Sequence, residues 1–306
     1  MTGRAPSTGA PPRPAQGMRP GGGQRVRQRR FSRRDRLWAV IMSVILVPIV
    51  LVWVYPFIWT VSSSLKSSSE IFGSLSPFST VLRIGNYAQA WRDAQMGRYF
   101  FNTVFVTGFS ILIAVLTAAL MGYVLGRYRF AGKKVVIAVL ALAVFLPEGY
   151  TIIPVYDLID RLHLTDSLWG VTLAEAGGVN IVAVLLFAGY FAQLPAELEE
   201  AARIDGAGFL RTFTSVYLPL ARPVTATAVI MQFLHSWNDF LLPLVLTLTR
   251  PELRTLSVGI YALRGQYLSD WGVMTAGATI ALAPIVVVFL LLQRHFVESI
   301  AGAVKG

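Results

Sequence analysis

Apolar and polar positions fall in long blocks along this chain rather than at the short periods of a soluble domain. No charged residue lies between Arg36 and Lys66, between Arg98 and Arg127, or between Asp270 and Arg294. Three further apolar blocks carry one acid each: Glu148 within Val135–Tyr156, Glu175 within Ser167–Pro195, and Asp239 within Pro223–Thr249. A hydrocarbon core about 30 Å thick needs roughly 20 helical residues to cross it, and each block is long enough. Any one block could be a buried helix of a soluble protein; six in one chain argue for a bilayer. The pattern predicts an all-α membrane protein with six transmembrane helices, at about 37–62, 99–126, 135–156, 170–192, 223–247 and 271–293. The first block, Leu37 to Leu65, far exceeds the roughly 7–15-residue core of a signal peptide, and no small-residue cleavage site follows it cleanly. It reads as a retained helix.

Composition agrees. The 306 residues are 55% hydrophobic and 14% charged, with no cysteine, and the mean hydropathy is +0.59. That is too apolar for an ordinary soluble domain. The missing cysteine excludes disulfides, thiolate metal sites and a cysteine nucleophile. The net charge of +11 is concentrated rather than spread. Residues 1–36 hold ten arginines among Pro, Gly, Ser and Gln, a composition that predicts a disordered cytoplasmic tail ahead of a transmembrane domain at 37–306. Such a run could bind nucleic acid or anionic lipid. Directly before a membrane helix it reads as a topology signal, with lipid contact as a by-product. With the N-terminus inside, cytoplasmic segments carry nineteen Lys and Arg and outer segments eight. Both termini are therefore expected in the cytoplasm, which requires an even number of spans, and no nucleic-acid partner is expected.

Charges inside a bilayer are costly and tend to be functional. Glu148 and Glu175 are expected close to the outer interface and solvated. Asp239 lies in Trp237-Asn238-Asp239-Phe240, sixteen residues after Pro223. At about 1.5 Å per residue that places it roughly 24 Å from the cytoplasmic end. One acid there suits a polar, water-accessible cavity wall better than a proton relay. Trp237, Asn238 and Asp239 are candidates for a translocation pathway; helix packing by Trp237 and interhelical hydrogen bonding by Asn238 are the structural alternatives.

The longest cytoplasmic loop, 194–222, begins Leu194-Pro195-Ala196-Glu197-Leu198-Glu199-Glu200-Ala201-Ala202-Arg203-Ile204-Asp205-Gly206-Ala207-Gly208. Pro195 suits a first helical turn, and Glu197, Glu199 and Glu200 suit the positive end of the helix dipole. Gly206 or Gly208 can supply the left-handed stop. A second amphipathic run, Phe209 to Leu218, leads to Pro219 and Pro223. The small Ala201 and Ala202 present a surface that a partner could approach closely. An interfacial helix or a plain connector would be the alternative, but a membrane-surface helix usually has a basic polar face and this one is acidic.

At these residues the chain resembles a known family. Glu200-Ala201-Ala202, Asp205-Gly206-Ala207, Leu218-Pro219 and Pro223 are similar to the EAA loop of binding-protein-dependent ABC importer permeases. Its carbohydrate branch, and within it the maltose-type second permease subunit, is resembled further by Leu194 to Ala202, Trp237-Asn238-Asp239-Phe240 with Leu242-Pro243-Leu244, and the ending Ala301 to Gly306. So do Ser64-Leu65-Lys66, Glu70-Ile71-Phe72, Asn86-Tyr87, Tyr128-Arg129-Phe130 and Ile153-Pro154-Val155-Tyr156. The resemblance spans roughly residues 37–306. It implies a type I importer permease bundle (MetI-like) in the bacterial plasma membrane, importing a sugar or oligosaccharide. It further implies a coupling helix in which Glu200, Ala201, Ala202, Asp205 and Gly206 dock in a cytoplasmic ATPase, with Glu200 the charged contact. The implied partners are a homologous second permease subunit, two cytoplasmic ATPase subunits and an extracytoplasmic solute-binding protein. The implied motion is rigid-body gating. No glycine-rich phosphate loop is present, so ATP hydrolysis is expected in a partner, and no catalytic residue, metal ligand or cofactor is assigned here. Glu148 and Glu175 depart from the family pattern, and Phe187-Ala188-Gly189-Tyr190 lacks an arginine often found before the loop. The outer segment Thr249 to Trp271, with Arg250, Arg254, Arg264, Tyr261 and Tyr267, is the expected contact for the binding protein. An amino-acid or peptide permease and an ion-coupled secondary transporter are the competing readings.

Overall fold

The computed structural model describes residues 33–303, apart from 74–75, 77, 80, 93–94, 179 and 267–269. The arginine-rich tail up to residue 32, and the last three residues, lie outside the described residues. Among those described, every regular element is helical. In chain order they are α1 (Arg33–Ser63), α2 (Ser68–Gly73), α3 (Gly85–Arg92), α4 (Met96–Arg127), α5 (Lys133–Ala143), a 3-10 turn (Glu148–Thr151), α6 (Ile152–Arg161), α7 (Leu168–Gly178) and α8 (Asn180–Ala192). There follow α9 (Glu197–Ile204), α10 (Phe209–Thr212), a π turn (Phe213–Tyr217), α11 (Leu218–Leu220), α12 (Arg222–Asn238), α13 (Leu241–Leu246), a second 3-10 turn (Pro251–Leu253), α14 (Leu256–Gln266) and α15 (Trp271–Ala303). The chain divides into two units, a stretch ending at Trp53 and a body from Val54 onward. The first consists of the N-terminal part of α1, whose residues 40–53 have apolar side chains open to the surroundings almost throughout. In lipid such exposure carries no penalty.

Among the described residues, three helices are long and apolar enough to cross a membrane unaided: Val40–Ser63, Met96–Arg127 and Trp271–Leu291. A fourth crossing is available if α7 and α8, which meet at 51°, are one bent span. The other two blocks expected at 135–156 and 223–247 are each divided between shorter helices. Between α5 and α6 the chain turns through Leu146-Pro147, where Pro147 is extended (φ −66°, ψ 133°). Between α12 and α13 it turns at Asp239, also extended (φ −63°, ψ 136°). Pro147 and Pro243 explain part of this, since proline removes a helical N–H and clashes with the preceding turn.

The body packs around α4. Ser110, Ala114, Ala118, Gly122 and Gly126 recur every fourth residue of α4, so they share one face. A Cβ added to Gly122 would meet the Phe187 Cβ at 2.4 Å and the Val184 carbonyl at 3.0 Å. One added to Gly126 would meet the Ala188 carbonyl at 2.8 Å. The α4 and α8 backbones therefore touch, which is how helices associate when lipid is as apolar as leucine. Hydroxyls join α4 to α12: Ser110 Oγ donates to Ser236 Oγ at 3.2 Å, and Thr107 approaches the same oxygen at 3.5 Å. At the start of α15, Asn86 of α3 donates to the Ser64 and Lys66 carbonyls at 2.9 and 3.0 Å, fixing the segment before α2 beside Gly272.

Candidate coupling surface and intramembrane polar cluster

The helix expected in segment 194–222 is α9, and its ends follow from its sequence. Ala196, not Pro195, is its N-cap, so Pro195 sits just ahead of the first turn. Glu197, Glu199 and Glu200 occupy the first turn and Arg203 the last, in agreement with the dipole. Gly206 adopts φ +73°. Its N–H donates to the Arg203 carbonyl at 3.0 Å, and that of Ala207 to the Ala202 carbonyl at 2.9 Å, which closes the helix with a Schellman motif. Gly208 keeps φ −77° and instead precedes α10.

Arg127, the last residue of α4, holds this helix to the bundle. Its Nη1 donates to the Leu194 carbonyl at 2.8 Å, and its Nε lies 3.5 Å from Glu199 Oε2. The guanidinium also stands over the Tyr217 ring, 5.3 Å from its centre. Glu199 is bound from its other side by Arg203 at 2.9 Å. Below this lies an aromatic cluster centred on Tyr123, whose ring neighbours are Tyr128, Phe191, Phe209, Phe213 and Tyr217. Burial pushes the Tyr217 phenol above its ordinary pKa, and the adjacent Arg127 charge partly offsets this.

The clamp decides which residues face outward. Glu200, Ala201, Asp205 and Gly206 are exposed. Ala202 is buried, at 7% exposure, so the two alanines do not share the outer surface. Ile204, not singled out by the motif, takes that place: it is 86% exposed and stands one turn on from Glu200. An uncharged knob thus projects between two carboxylates.

The second group lies where α12 ends. Trp237 is buried at 4% exposure, donates to the Ala281 carbonyl of α15 at 3.1 Å, and packs on Phe233 and Phe100. Its role in this structure is packing. Asn238 is exposed and donates to the Leu234 carbonyl at 2.7 Å in its own helix. Asp239 is half-buried and accepts from the Leu241 N–H at 3.1 Å, starting α13. Beside it is Glu175, expected to be solvated but wholly buried at 0% exposure. Glu175 Oε2 lies 3.3 Å from His235 Nε2, and Gln232 donates to the Glu175 carbonyl at 3.1 Å. Its span is not one straight helix from the surface, and α7 turns this residue against α12. The Glu148 side chain is outside the described residues.

In segment 249–271, Asn102 of α4 donates to the Glu252 and Arg254 carbonyls at 2.9 and 3.0 Å. The Leu256 N–H, at the start of α14, donates to Thr103 Oγ1 at 2.7 Å. Arg250 pairs with Asp166 at 2.8 Å, and that hydrogen bond holds the Asp166 carboxyl below the usual range. Tyr261 is exposed; the side chains of Arg264 and Tyr267 are outside the described residues.

Apolar helices around a close-packed central helix, with a short capped helix clamped at one end of it, define a multi-pass membrane protein. Residues 114–302 match the family described as binding-protein-dependent transport system inner membrane component, and the chain belongs to that family of ABC importer permeases. It is 34% identical over 253 residues to the probable ABC transporter permease protein YurM of Bacillus subtilis, covering 82% of this chain and 84% of the relative. It is 33% identical over 270 residues to the diacetylchitobiose uptake system permease protein NgcG of Streptomyces coelicolor, covering 87% and 89%. The melibiose/raffinose/stachyose import permease protein MelC of Bacillus subtilis is 31% identical, covering 82% and 91%. Among solved structures, a bacterial ABC transporter that imports the acidic polysaccharide alginate superposes with a TM-score of 0.72 at 25% identity, covering 87% of this chain and 99% of that one.

Proposed function

We propose that this permease carries a sugar or oligosaccharide and is driven through α9 by a cytoplasmic ATPase. The observation that carries the coupling reading is the projecting face of Glu200, Ala201, Ile204, Asp205 and Gly206, held on the bundle by Arg127 and Glu199. A rigid knob with one apolar tip and an acidic rim fits a cleft with an apolar floor and basic edges. The carbohydrate reading is supported by relatives named for diacetylchitobiose and for melibiose, raffinose and stachyose. In this reading the chain crosses the membrane six times, α5/α6, α7/α8 and α12/α13 each forming a broken crossing, with both termini cytoplasmic. It pairs with a second, homologous permease subunit above two ATPase subunits. The solute-binding protein meets the outer segment 249–271. Trp237 supports the pathway wall from behind, Asn238 is its exposed member and Asp239 a half-buried one.

The test is co-purification of the permease pair with its ATPase, with ATP hydrolysis stimulated by loaded binding protein. Ile204→Asp and Glu200→Lys are expected to release the ATPase while the permease pair stays assembled. Full retention of ATPase and stimulation in both variants would sink the coupling assignment. Stimulation by an amino-acid-loaded binding protein and by no sugar-loaded one would sink the substrate class alone.

A further inference from the structure

The cluster formed by Glu175, His235 and Asp239 is not used by the coupling reading and is independent of it. One ligating atom from each of the three residues falls in a group no wider than 4.8 Å. Glu175 lies in the last turn of α7, His235 lies in the last turn of α12, and Asp239 directly follows α12. The negative ends of two helix dipoles thus add to two carboxylates. A buried carboxylate is stable only beside a compensating cation or proton. His235 can supply one positive charge when protonated, against two carboxylates in this group of three. A divalent ion with a neutral imidazole balances the set.

We propose that Glu175, His235 and Asp239 bind a divalent cation of borderline hardness, zinc above all, which ties the end of α7 to the end of α12. The geometry fits. Metal–ligand bonds of about 2.1 Å in a tetrahedron give ligand–ligand edges of about 3.4 Å, and the Glu175–His235 edge is 3.3 Å. The Asp239 carboxylate has to draw in by at most about 1.4 Å to close a set of this kind. Its Oδ1 accepts from Leu241 N–H, which fixes the carboxylate at the end of α12. Gln232, bound to the Glu175 carbonyl, holds that turn of α7 in register with His235. One imidazole and two carboxylates leave a fourth position open to water, and the mixed nitrogen and oxygen set disfavours magnesium and copper(I). The ion would brace two helix ends that carry breaks in their spans, a placement recurrent at ion sites in membrane transporters.

The experiment uses the full-length chain in its detergent-purified complex, washed with chelator and reloaded with zinc or cobalt(II). Retained metal is counted by mass spectrometry, and cobalt is read by its visible absorption. Wild type is expected to retain about one ion per chain. His235→Gln and Asp239→Asn are each expected to weaken binding by at least ~10–100-fold, and Asp239→Asn keeps the Leu241 cap. Zinc should also raise the melting temperature of wild type and leave both variants unmoved. Absence of retained metal in wild type, or equal retention in both variants, overturns the proposal. So does a melting temperature that ignores zinc in wild type, which would assign the cluster to a hydrogen-bonded pair of Glu175 and His235.

Discussion

Arg127→Ala tests whether α9 is mechanically part of the bundle. The substitution removes a charge-assisted hydrogen bond to the Leu194 carbonyl, the contact with Glu199, and the stacking over Tyr217. A hydrogen bond from a charged group contributes about 1.5–3 kcal/mol, and a partly desolvated cation–π contact about 0.5–2 kcal/mol. The Arg127 side chain is only 10% exposed, so solvent screening takes little from these figures. Because neighbouring terms are not additive, the loss is about 2–4 kcal/mol. At about 1.36 kcal/mol per decade, the equilibrium between docked and released α9 shifts roughly 30- to 1000-fold. Hydrogen exchange of residues 197–204 should accelerate by a comparable factor, while exchange in the middle of α4 stays slow. In proteoliposomes the ratio of solute imported to ATP hydrolysed should fall, with basal hydrolysis retained. Arg127→Lys keeps the charge but cannot reach the carbonyl and Glu199 together, and should fall between. Unchanged exchange at 197–204 together with an unchanged import ratio in Arg127→Ala would refute the clamp.

Other outcomes follow from the packing and charges. Gly122→Leu should cost several kcal/mol, more than the ~1–3 kcal/mol of ordinary overpacking, because even its Cβ meets Phe187. The control Gly108→Ala, which meets nothing within 4 Å, should leave the detergent melting temperature unchanged. Asn102→Ala should free the Glu252 and Arg254 carbonyls, increase proteolysis within 249–271, and reduce stimulation by binding protein without loss of the ATPase. The Asp166 pKa is lowered by Arg250, so the pair stabilises above the ordinary carboxyl pKa of about 3.9 and is lost as pH falls through the lowered value. Proteolysis of the outer segment should therefore be flat from neutral pH to about 5 and rise below, and Asp166→Asn should abolish that rise.

The local features of this chain were legible because their causes are local. Gly206 follows three acids and a run of helix formers, and it became the left-handed stop of α9. The apolar blocks named the helices correctly as material but not as objects. A block of 22 residues does not say whether one helix or two will fill it, although Pro147 and the Gly177-Gly178 pair at the end of α7 mark the places where breaks fell. A place near the outer start of a straight fourth span would put Glu175 in water, whereas the structure buries it at 0% exposure. His235 leaves no mark in a pattern built from Asp, Glu, Lys and Arg alone. Arg127 was counted as a topology charge, and nothing nearby in the sequence points to Glu199, 72 positions on. Ile204 stood within the motif but outside its conserved letters, and only the clamp reveals which way it faces.

Helix α4 holds α9 at its last residue and the outer segment at Asn102 near its first. Its 32 residues make a rod about 48 Å long. A tilt of about 10° would swing one end past the other by roughly 8 Å over that length. No hinge interrupts it, and Gly122 and Gly126 lock its lower half against α8. Displacement of α9 would therefore reach segment 249–271 through one continuous helix, without passing through any flexible joint.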